Sequence, residues 1–204
     1  MKGPGYIKLT VLLFAGFSAA CSDTSLTGSD PGSTSSTIAS LFSTNIESEI
    51  QSFPLEDLSS EEIEGLYYLR EEEKLARDVY RNFYEIYGLR IFDNISQSEQ
   101  RHTDAVKRLL VKYDLEDPAA EDIQGSFKNE ELQKLYDSLI ETGSVSLTEA
   151  LKVGVSIEEL DILDLQFQLD NVVDNEDITF VYNNLKLGSE NHLQAFNRNL
   201  SRRG

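Results

Sequence analysis

Four long segments of the chain carry apolar side chains at a repeat of three and four residues, all between Leu58 and Leu200. This spacing places the apolar side chains on one face of an α-helix, where they can pack against other helices. The first segment opens with Ser59 and Glu62, the two members of a capping box, and ends before Gly88, a common helix terminator. No segment shows a convincing strand pattern. The sequence therefore predicts an all-α fold.

The other helix bounds follow from capping residues and from the last apolar residue of each stripe. The other helices are predicted at Asp93 to Tyr113, Asn129 to Ile140, Ser146 to Leu169 and Asn175 to Leu200. The helix from Asn129 to Ile140 is the short one, and Gly143 should end it. The long helices, of about 20 to 28 residues each, match well enough in length to pack side by side. A long crossover, from Asp114 to Val145, joins the second and third long helices and carries the short helix, which lets those two run parallel. The prediction is a four-helix bundle.

The charge of the chain limits its partners. The 204 residues include 36 acidic and 18 basic side chains, for a formal net charge of −18. Such a chain is repelled by nucleic acids and by anionic lipid surfaces, and it suits cationic partners, including metal ions. We therefore predict metal ions as partners and no nucleic acid. A homodimer is allowed, but the sequence does not fix the oligomeric state.

Residues 1–20 have the layout of an export signal, because Lys2 and Lys8 precede an apolar run that extends from Leu9 to Ala20. That run is too short to span a bilayer stably, and no later stretch approaches the roughly 20 apolar residues of a span. Residues 21–57 are rich in Ser, Thr and Gly and are predicted to form a flexible tether. The folded domain is predicted at residues 58–204.

Cys21 is the only cysteine, which excludes an intramolecular disulfide, a thiolate zinc site and an iron–sulfur centre. The segment Ser18-Ala19-Ala20-Cys21 resembles the lipobox of bacterial lipoproteins, in which the cysteine is lipidated, although Ser18 replaces the usual leucine. The resemblance implies a lipid anchor at Cys21 as the sole membrane contact, and a location in the bacterial cell envelope. The alternative is ordinary signal cleavage nearby, which would leave a free thiol.

Each of the four long helices places an ionisable side chain on its apolar stripe. These residues include both histidines of the chain and are, in helix order, Glu73, Glu99 with His102, Glu158, and His192. Buried charges must be paired or bound to a metal. Carboxylates are hard ligands for Fe or Mn, imidazole is a borderline one, and two neighbouring ions can share a bridging carboxylate. The pattern predicts a core site for one or two Fe or Mn ions.

A known template for two-metal bundles has one Glu from each of two helices and a Glu-x-x-His motif from each of the other two. Here Glu73 and Glu158 match the single carboxylates, Glu99 with His102 matches a complete motif, and His192 matches half of the second motif. The segment from Glu73 to Tyr80, EKLARDVY, looks like the first-helix ligand segment of rubrerythrins in the ferritin-like superfamily.

The closest resemblance is to an uncharacterised bacterial ferritin-like family, the domain of unknown function family 2202, over about residues 58–200. It rests on the segments REEEKLARDVY, NISQSEQRHTDAVKRLL, GSVSLTEALKVG, IEELDILDL, NEDI and GSENHLQAF. The resemblance implies a ferritin-like fold and metal binding, but no assigned reaction. Ser189 stands where a ferritin's fourth helix would have its Glu. Asp161, one turn after Glu158, could supply a replacement carboxylate or hold the second nitrogen of a histidine.

Several of these residues also have plainer interpretations. The run from Glu71 to Glu73 is typical of a solvated face, with only one side chain needing to point inward, and Glu73 fits the stripe better than Glu72. Glu99 could cap the second helix together with Ser96. A lone histidine such as His192 is most often hydrogen-bonded in a core. Tyr80, Phe83 and Tyr84 are expected to pack in the core and not to relay electrons.

Three functions therefore remain open. The first is a di-iron or di-manganese oxidoreductase that uses O2 or peroxide. The second is metal capture without turnover, which the missing carboxylate at Ser189 would favour. The third is a metal-free interaction domain of the envelope, whose buried polar side chains hydrogen-bond to one another.

Overall fold

The computed structural model of the protein describes residues 46–203. The predicted export signal at residues 1–20 and the predicted lipidation site at Cys21 lie outside the described residues. Within residues 46–203 there are helices and no strand, which confirms the predicted all-α fold. We number the helices α1 (46–52), α2 (Ser60–Tyr87), α3 (Arg90–Lys112), α4 (Glu130–Gly143), α5 (Leu147–Asn171) and α6 (Glu176–Ser201). None of the described helices has the length and apolar content that crossing a membrane requires.

The ends of α2 are those that the sequence predicts. The backbone N–H of Glu62 donates to the Ser59 hydroxyl at 3.1 Å, and the N–H of Ser59 donates to the Glu62 carboxylate at 2.8 Å. Gly88 follows the last turn with φ of 62°, in the left-handed region where glycine is favoured. Both termini of the longest helix are thus fixed by local side-chain chemistry.

The predicted start of α3 at Asp93 is wrong by three residues. The helix begins at Arg90 after Leu89, which supplies no side-chain cap, so the sequence carries no local signal for this start. Asp93 lies in the first turn instead, where its carboxylate accepts from the Gln97 amide at 3.0 Å. Ser96 lies inside α3 and donates to the carbonyl of Asp93, so Glu99 is not a capping residue.

The later helix starts agree with the predicted positions, although their caps differ. The Asn129 side chain accepts from two backbone N–H groups and begins α4, which continues past Ile140 to Gly143. The Ser146 hydroxyl accepts from the N–H of Glu149 at the start of α5. Asn175 occupies the N-cap position of α6 but makes no side-chain cap bond, because its amide lies 3.2 Å from the Tyr113 hydroxyl.

The four long helices pack as two hairpins, α2 with α3 and α5 with α6. The start of α2 meets the end of α5, where the N–H of Asp174 donates to Glu62 at 3.2 Å. The start of α6 meets the end of α3, where the Tyr113 hydroxyl donates to Asp177 at 2.9 Å. Helices α3 and α5 therefore run in the same direction, and the connection between them, which carries α4, travels the length of the structure.

The segment before α2 also contacts the long helices. Residues 46–57 are the described part of the predicted tether, and 46–52 of them are helical. Ile50 is fully buried among residues of the long helices, and the Lys112 ammonium donates to its carbonyl at 3.0 Å.

The apolar interior is divided into two clusters. The first includes Tyr80, Phe83, Phe92 and Phe196, and the second includes Leu66, Leu109, Ile178 and Leu185. On every long helix, some of the buried ionisable or hydroxyl side chains lie between residues of the first cluster and residues of the second, at positions 73, 99 and 102, 158 and 161, and 189 and 192. We call these positions the polar layer.

The expectation that the run from Glu71 to Glu73 coats a solvated face is wrong, because all three side chains are buried. The crossover covers this face of α2. Glu71 accepts from the backbone N–H groups of Lys128 at 2.6 Å and Asn129 at 2.9 Å. Lys74 donates to Asp78 and to the carbonyl of Ile123, each at 2.7 Å. Arg70 and Arg77 pair with Asp117 and Asp122 of the same crossover.

Candidate metal centre

The polar layer brings five of the predicted ligands together as two overlapping groups. Glu73, Glu99 and His102 form one group, and Glu99, Glu158 and His192 form the other. Within each group the potential ligand atoms lie within 4.8 Å of one another. Glu99 belongs to both groups, and Glu73 rather than its neighbour Glu72 takes part.

Glu99 turns one carboxylate oxygen toward each imidazole. Its Oε2 lies 2.7 Å from Nδ1 of His102, and its Oε1 lies 2.8 Å from Nδ1 of His192. The outer carboxylates are slightly farther away, with Glu73 3.3 Å from His102 and Glu158 3.5 Å from His192. The two imidazole rings stack at a centroid separation of 5.4 Å. Each side of Glu99 therefore offers one further carboxylate and one imidazole.

These side chains are almost closed off from solvent. Glu99 and Glu158 are 1% exposed, and the two histidines are 9% exposed. Among the described residues, Oε1 of Glu73 and Oδ1 of Asp161 have no hydrogen-bond partner. A buried carboxylate oxygen without a donor is costly, and a bound cation would satisfy it. These carboxylate and imidazole groups could therefore hold a metal ion.

Burial and mutual charge shift the pKa of nearly every group in the layer. Burial raises the pKa of Glu73 to about 7 and, together with the charge of Glu99, raises that of Glu158 to about 7. Burial opposes the charged form of His192, but the Glu99 carboxylate outweighs it and raises the pKa to about 10. Likewise burial acts against ionised Glu99, yet the two imidazolium charges lower its pKa. In the metal-free protein, protons therefore occupy positions that a cation would take.

Asp161 lies beside the two groups without belonging to either. It accepts a hydrogen bond from the Ser189 hydroxyl. Burial raises the pKa of Asp161, and so does the charge of Glu73. The side chain lines a cavity together with Glu73, Glu99 and Glu158, and its Oδ1 has no hydrogen-bond partner among the described residues.

Tyr80 contacts the polar layer directly, which the sequence did not indicate. Its ring packs as expected in the first cluster, 5.2 Å from Phe196 and 6.4 Å from Phe92. Its hydroxyl donates to Oε1 of Glu158 at 2.6 Å. Tyr80 therefore holds the orientation of a potential ligand, in addition to filling the core.

Gly188 is a second residue that sequence reasoning missed. A Cβ atom at this position would lie 2.6 Å from Nε2 and 2.7 Å from Cε1 of His102, well inside van der Waals contact. Only a glycine lets the imidazole of α3 approach α6 this closely. The available signal was the glycine directly before Ser189, within the segment GSENH.

Helix α4 covers one side of the site. The cavity beside the two groups is lined by α2, α3 and α5, and α4 contributes Leu135 to it. Leu132 of α4 is buried in the first apolar cluster. The crossover thus closes over the carboxylates and helps to exclude water from them.

Comparisons with known proteins place the chain in one family. The uncharacterized protein domain family DUF2202 matches residues 62–204. Uncharacterized protein MJ0754 of Methanocaldococcus jannaschii is 53% identical over 155 residues, which cover 76% of this chain and 83% of the relative. The crystal structure of hypothetical protein MJ0754 from Methanococcus jannaschii is 52% identical and aligns with a TM-score of 0.73 over 74% of this chain and 86% of that one. The chain therefore belongs to the uncharacterized protein domain family DUF2202.

Proposed function

We propose that this protein is a ferritin-like domain that binds one or two Fe or Mn ions through the side chains of its polar layer. The observation that carries the proposal is that two groups of buried carboxylate and imidazole ligands share Glu99. A carboxylate that reaches two ligand groups can bridge two ions, and this donor set suits iron and manganese. The parallel α3 and α5, joined by the long crossover, support a ferritin-like topology.

Three protein ligands to an ion leave coordination positions for a small molecule. An iron or manganese pair bound here would supply the electrons for reduction of O2 or peroxide, so the activity that we propose is that of an oxidoreductase. The protein's own contribution is to hold the ligands and keep the site dry. Tyr80 orients Glu158, Gly188 admits His102, and the apolar clusters exclude water on both sides.

Metal capture without turnover is the second candidate, and Ser189 favours it. The position offers a hydroxyl that donates to Asp161, where the ferritin template has a carboxylate. A site with fewer anionic ligands stabilises the oxidised state of the metal less than a site with the additional carboxylate does. The two candidates differ in one measurement: both predict bound metal, but only the oxidoreductase consumes O2 or peroxide when supplied with reductant.

Metal analysis of the purified protein tests the proposal. After anaerobic loading with Fe(II), and separately with Mn(II), the protein is desalted and its metal content measured. We expect wild type to retain one to two equivalents and Glu158→Ala to lose metal. Glu159→Ala is the matched control, because Glu159 is the exposed neighbour of buried Glu158 on the same helix.

Retention of less than about half an equivalent by wild type would contradict metal binding, since a competent buried site should fill. That result would favour the metal-free interaction domain, in which the carboxylates and imidazoles pair only with each other. Equal metal content in Glu158→Ala and Glu159→Ala would contradict the assignment of Glu158.

We further propose export to the cell envelope with a lipid anchor at Cys21. The support is the layout of residues 1–20 and the lipobox-like segment that ends in Cys21. Labelling of cells with a radioactive fatty acid tests the anchor. Wild type should incorporate label and Cys21→Ala should not, whereas label in neither would leave ordinary signal cleavage as the explanation.

A further inference from the structure

A second cavity lies between α2 and α5, and Glu72 lines both this cavity and the one beside the metal centre. Asp164 and Gln168 line the second cavity from α5. On α5, Asp161, Asp164 and Gln168 follow one another at helical spacing, so they lie along one face of the helix. This face leads from the second cavity to the carboxylates of the polar layer.

Two buried oxygen atoms in this cavity have no hydrogen-bond partner among the described residues. They are Oε2 of Glu72, a side chain only 9% exposed, and Oε1 of Gln168. A Cβ atom on Gly65 would lie 2.9 Å from the same Gln168 oxygen, so the amide is held close against α2. Asp164 is half-buried and lies close enough to Glu72 for the two carboxyl groups to interact.

Such oxygen atoms, presented without donors, match the ligand preference of hard divalent cations. In the part of the chain that the structure describes, no lysine or arginine lines either cavity. The protein as a whole carries a formal charge of −18, which attracts cations to its surface. Clefts lined by one sign of charge raise the association rate of ions of the opposite sign.

We propose that this second cavity is the access port through which divalent cations reach the metal centre. Asp164 and Gln168 receive the cation at the half-buried outer side, and Glu72 passes it to Asp161 and Glu73. The proposal rests on the proposed metal-binding function. It gives Glu72, which belongs to neither ligand group, a role in transfer instead of in the final coordination.

The rate of Co(II) uptake by the purified protein, followed by stopped-flow absorbance, tests the port. Asp164→Asn and Asp164→Lys alter its outer side and leave the ligand groups intact. Glu159→Gln and Glu159→Lys are the controls, because they change the charge by the same amounts at an exposed position of the same helix. We expect uptake to slow about threefold in Asp164→Asn and about tenfold in Asp164→Lys. Both controls should stay within about twofold of wild type, and the final amount of bound Co(II) should be the same in all five proteins.

Equal uptake rates in Asp164→Lys and Glu159→Lys, with full final binding in both, would contradict the proposed access port. The proposed metal centre would be unaffected by that result. A reduced final amount at an unchanged rate would make Asp164 a ligand and would also overturn it. Failure of wild type to bind Co(II) would contradict the proposed function itself. Far-UV circular dichroism checks that the variants fold, and the Asp164→Asn and Glu159→Gln pair decides the question if a lysine variant does not.

Discussion

Glu99 of α3 reaches across to α6, where its Oε1 lies 2.8 Å from Nδ1 of His192. The other oxygen of the same carboxylate faces His102, one turn away on its own helix. One side chain therefore serves both halves of the polar layer, and a change at Glu99 should have a larger effect than a change at either histidine.

Replacement of Glu99 by glutamine should abolish metal binding at both ligand groups. Glutamine keeps the shape of the side chain but loses its charge and one ligand oxygen, so both ligand groups are incomplete. We expect less than about half an equivalent of metal in Glu99→Gln, and about one equivalent in His102→Ala, which disrupts one group only. Metal analysis after loading measures both. Equal retention in the two variants would show that Glu99 is not shared.

The metal-free protein should lose stability as the pH rises from about 5 to about 10. Burial raises the pKa of Glu73 and of Glu158 to about 7, and Glu99 raises that of His192 to about 10. The folded state therefore binds more protons than the unfolded chain across this window, so the free energy of unfolding falls with pH. The histidine contribution is complete below the unfolded pKa of about 6.5 and is lost as the pH approaches 10.

Urea unfolding in the presence of a chelator, at intervals across that pH range, measures this slope. His192→Gln is the control, because it removes one of the titrating side chains. The urea midpoint of this variant should fall less steeply with pH above pH 7. The lowered pKa of Glu99 acts in the opposite sense only below its unfolded value, about pH 4.3, and does not affect the window. A midpoint that rises with pH in the chelated wild type would contradict the assigned shifts.

Substitution of Gly188 by alanine should weaken metal binding by displacing His102. The added methyl group would lie 2.6 Å from Nε2 of the imidazole, and the ring must move. Gly143→Ala is the control, since its methyl group would press still harder on a buried ring, that of Phe83, away from the polar layer. Both should lose about 1 to 3 kcal/mol of stability through overpacking. Only Gly188→Ala should show reduced metal affinity in a titration, and equal affinities would refute the role of Gly188.

Removal of the Asp78 carboxylate should release the crossover. This fully buried side chain pairs with Lys74 at 2.7 Å and Arg77 at 2.8 Å, and it accepts from the backbone of Gly125 at 3.0 Å. In Asp78→Ala the buried side chains of Lys74 and Arg77 each lose a carboxylate partner. Such a loss typically costs about 3 to 5 kcal/mol of stability. Urea unfolding measures the loss. Asp137→Ala, at an exposed position of α4, should change stability by less than about 0.5 kcal/mol.

The features that the sequence predicted are those set by nearby residues. The capping box at Ser59 and the glycine at Gly88 fixed α2 in advance, and the spacing of Glu99 and His102 placed both on one face of α3. The start of α3 was missed because Leu89 gives no capping signal. The burial of Glu71 was missed for a different reason, since the segment that covers it lies more than 50 residues further along the chain.

Tyr80 and Gly188 were missed at the candidate metal centre because their partners also lie far away in the sequence. The hydroxyl of Tyr80 meets a carboxylate 78 residues away, and the partner of Gly188 lies on another helix. Periodicity identifies which face of a helix is buried, but it does not show which side chains meet across the interior. Such pairs follow only from the packing of the helices.

The division of the interior into two apolar clusters has a consequence for how substitutions in the polar layer affect stability. The residues that hold the helices together and the residues of the polar layer are different sets. A substitution in the layer therefore leaves the apolar contacts of both clusters in place, and its effect on stability comes from the charges and hydrogen bonds that it changes.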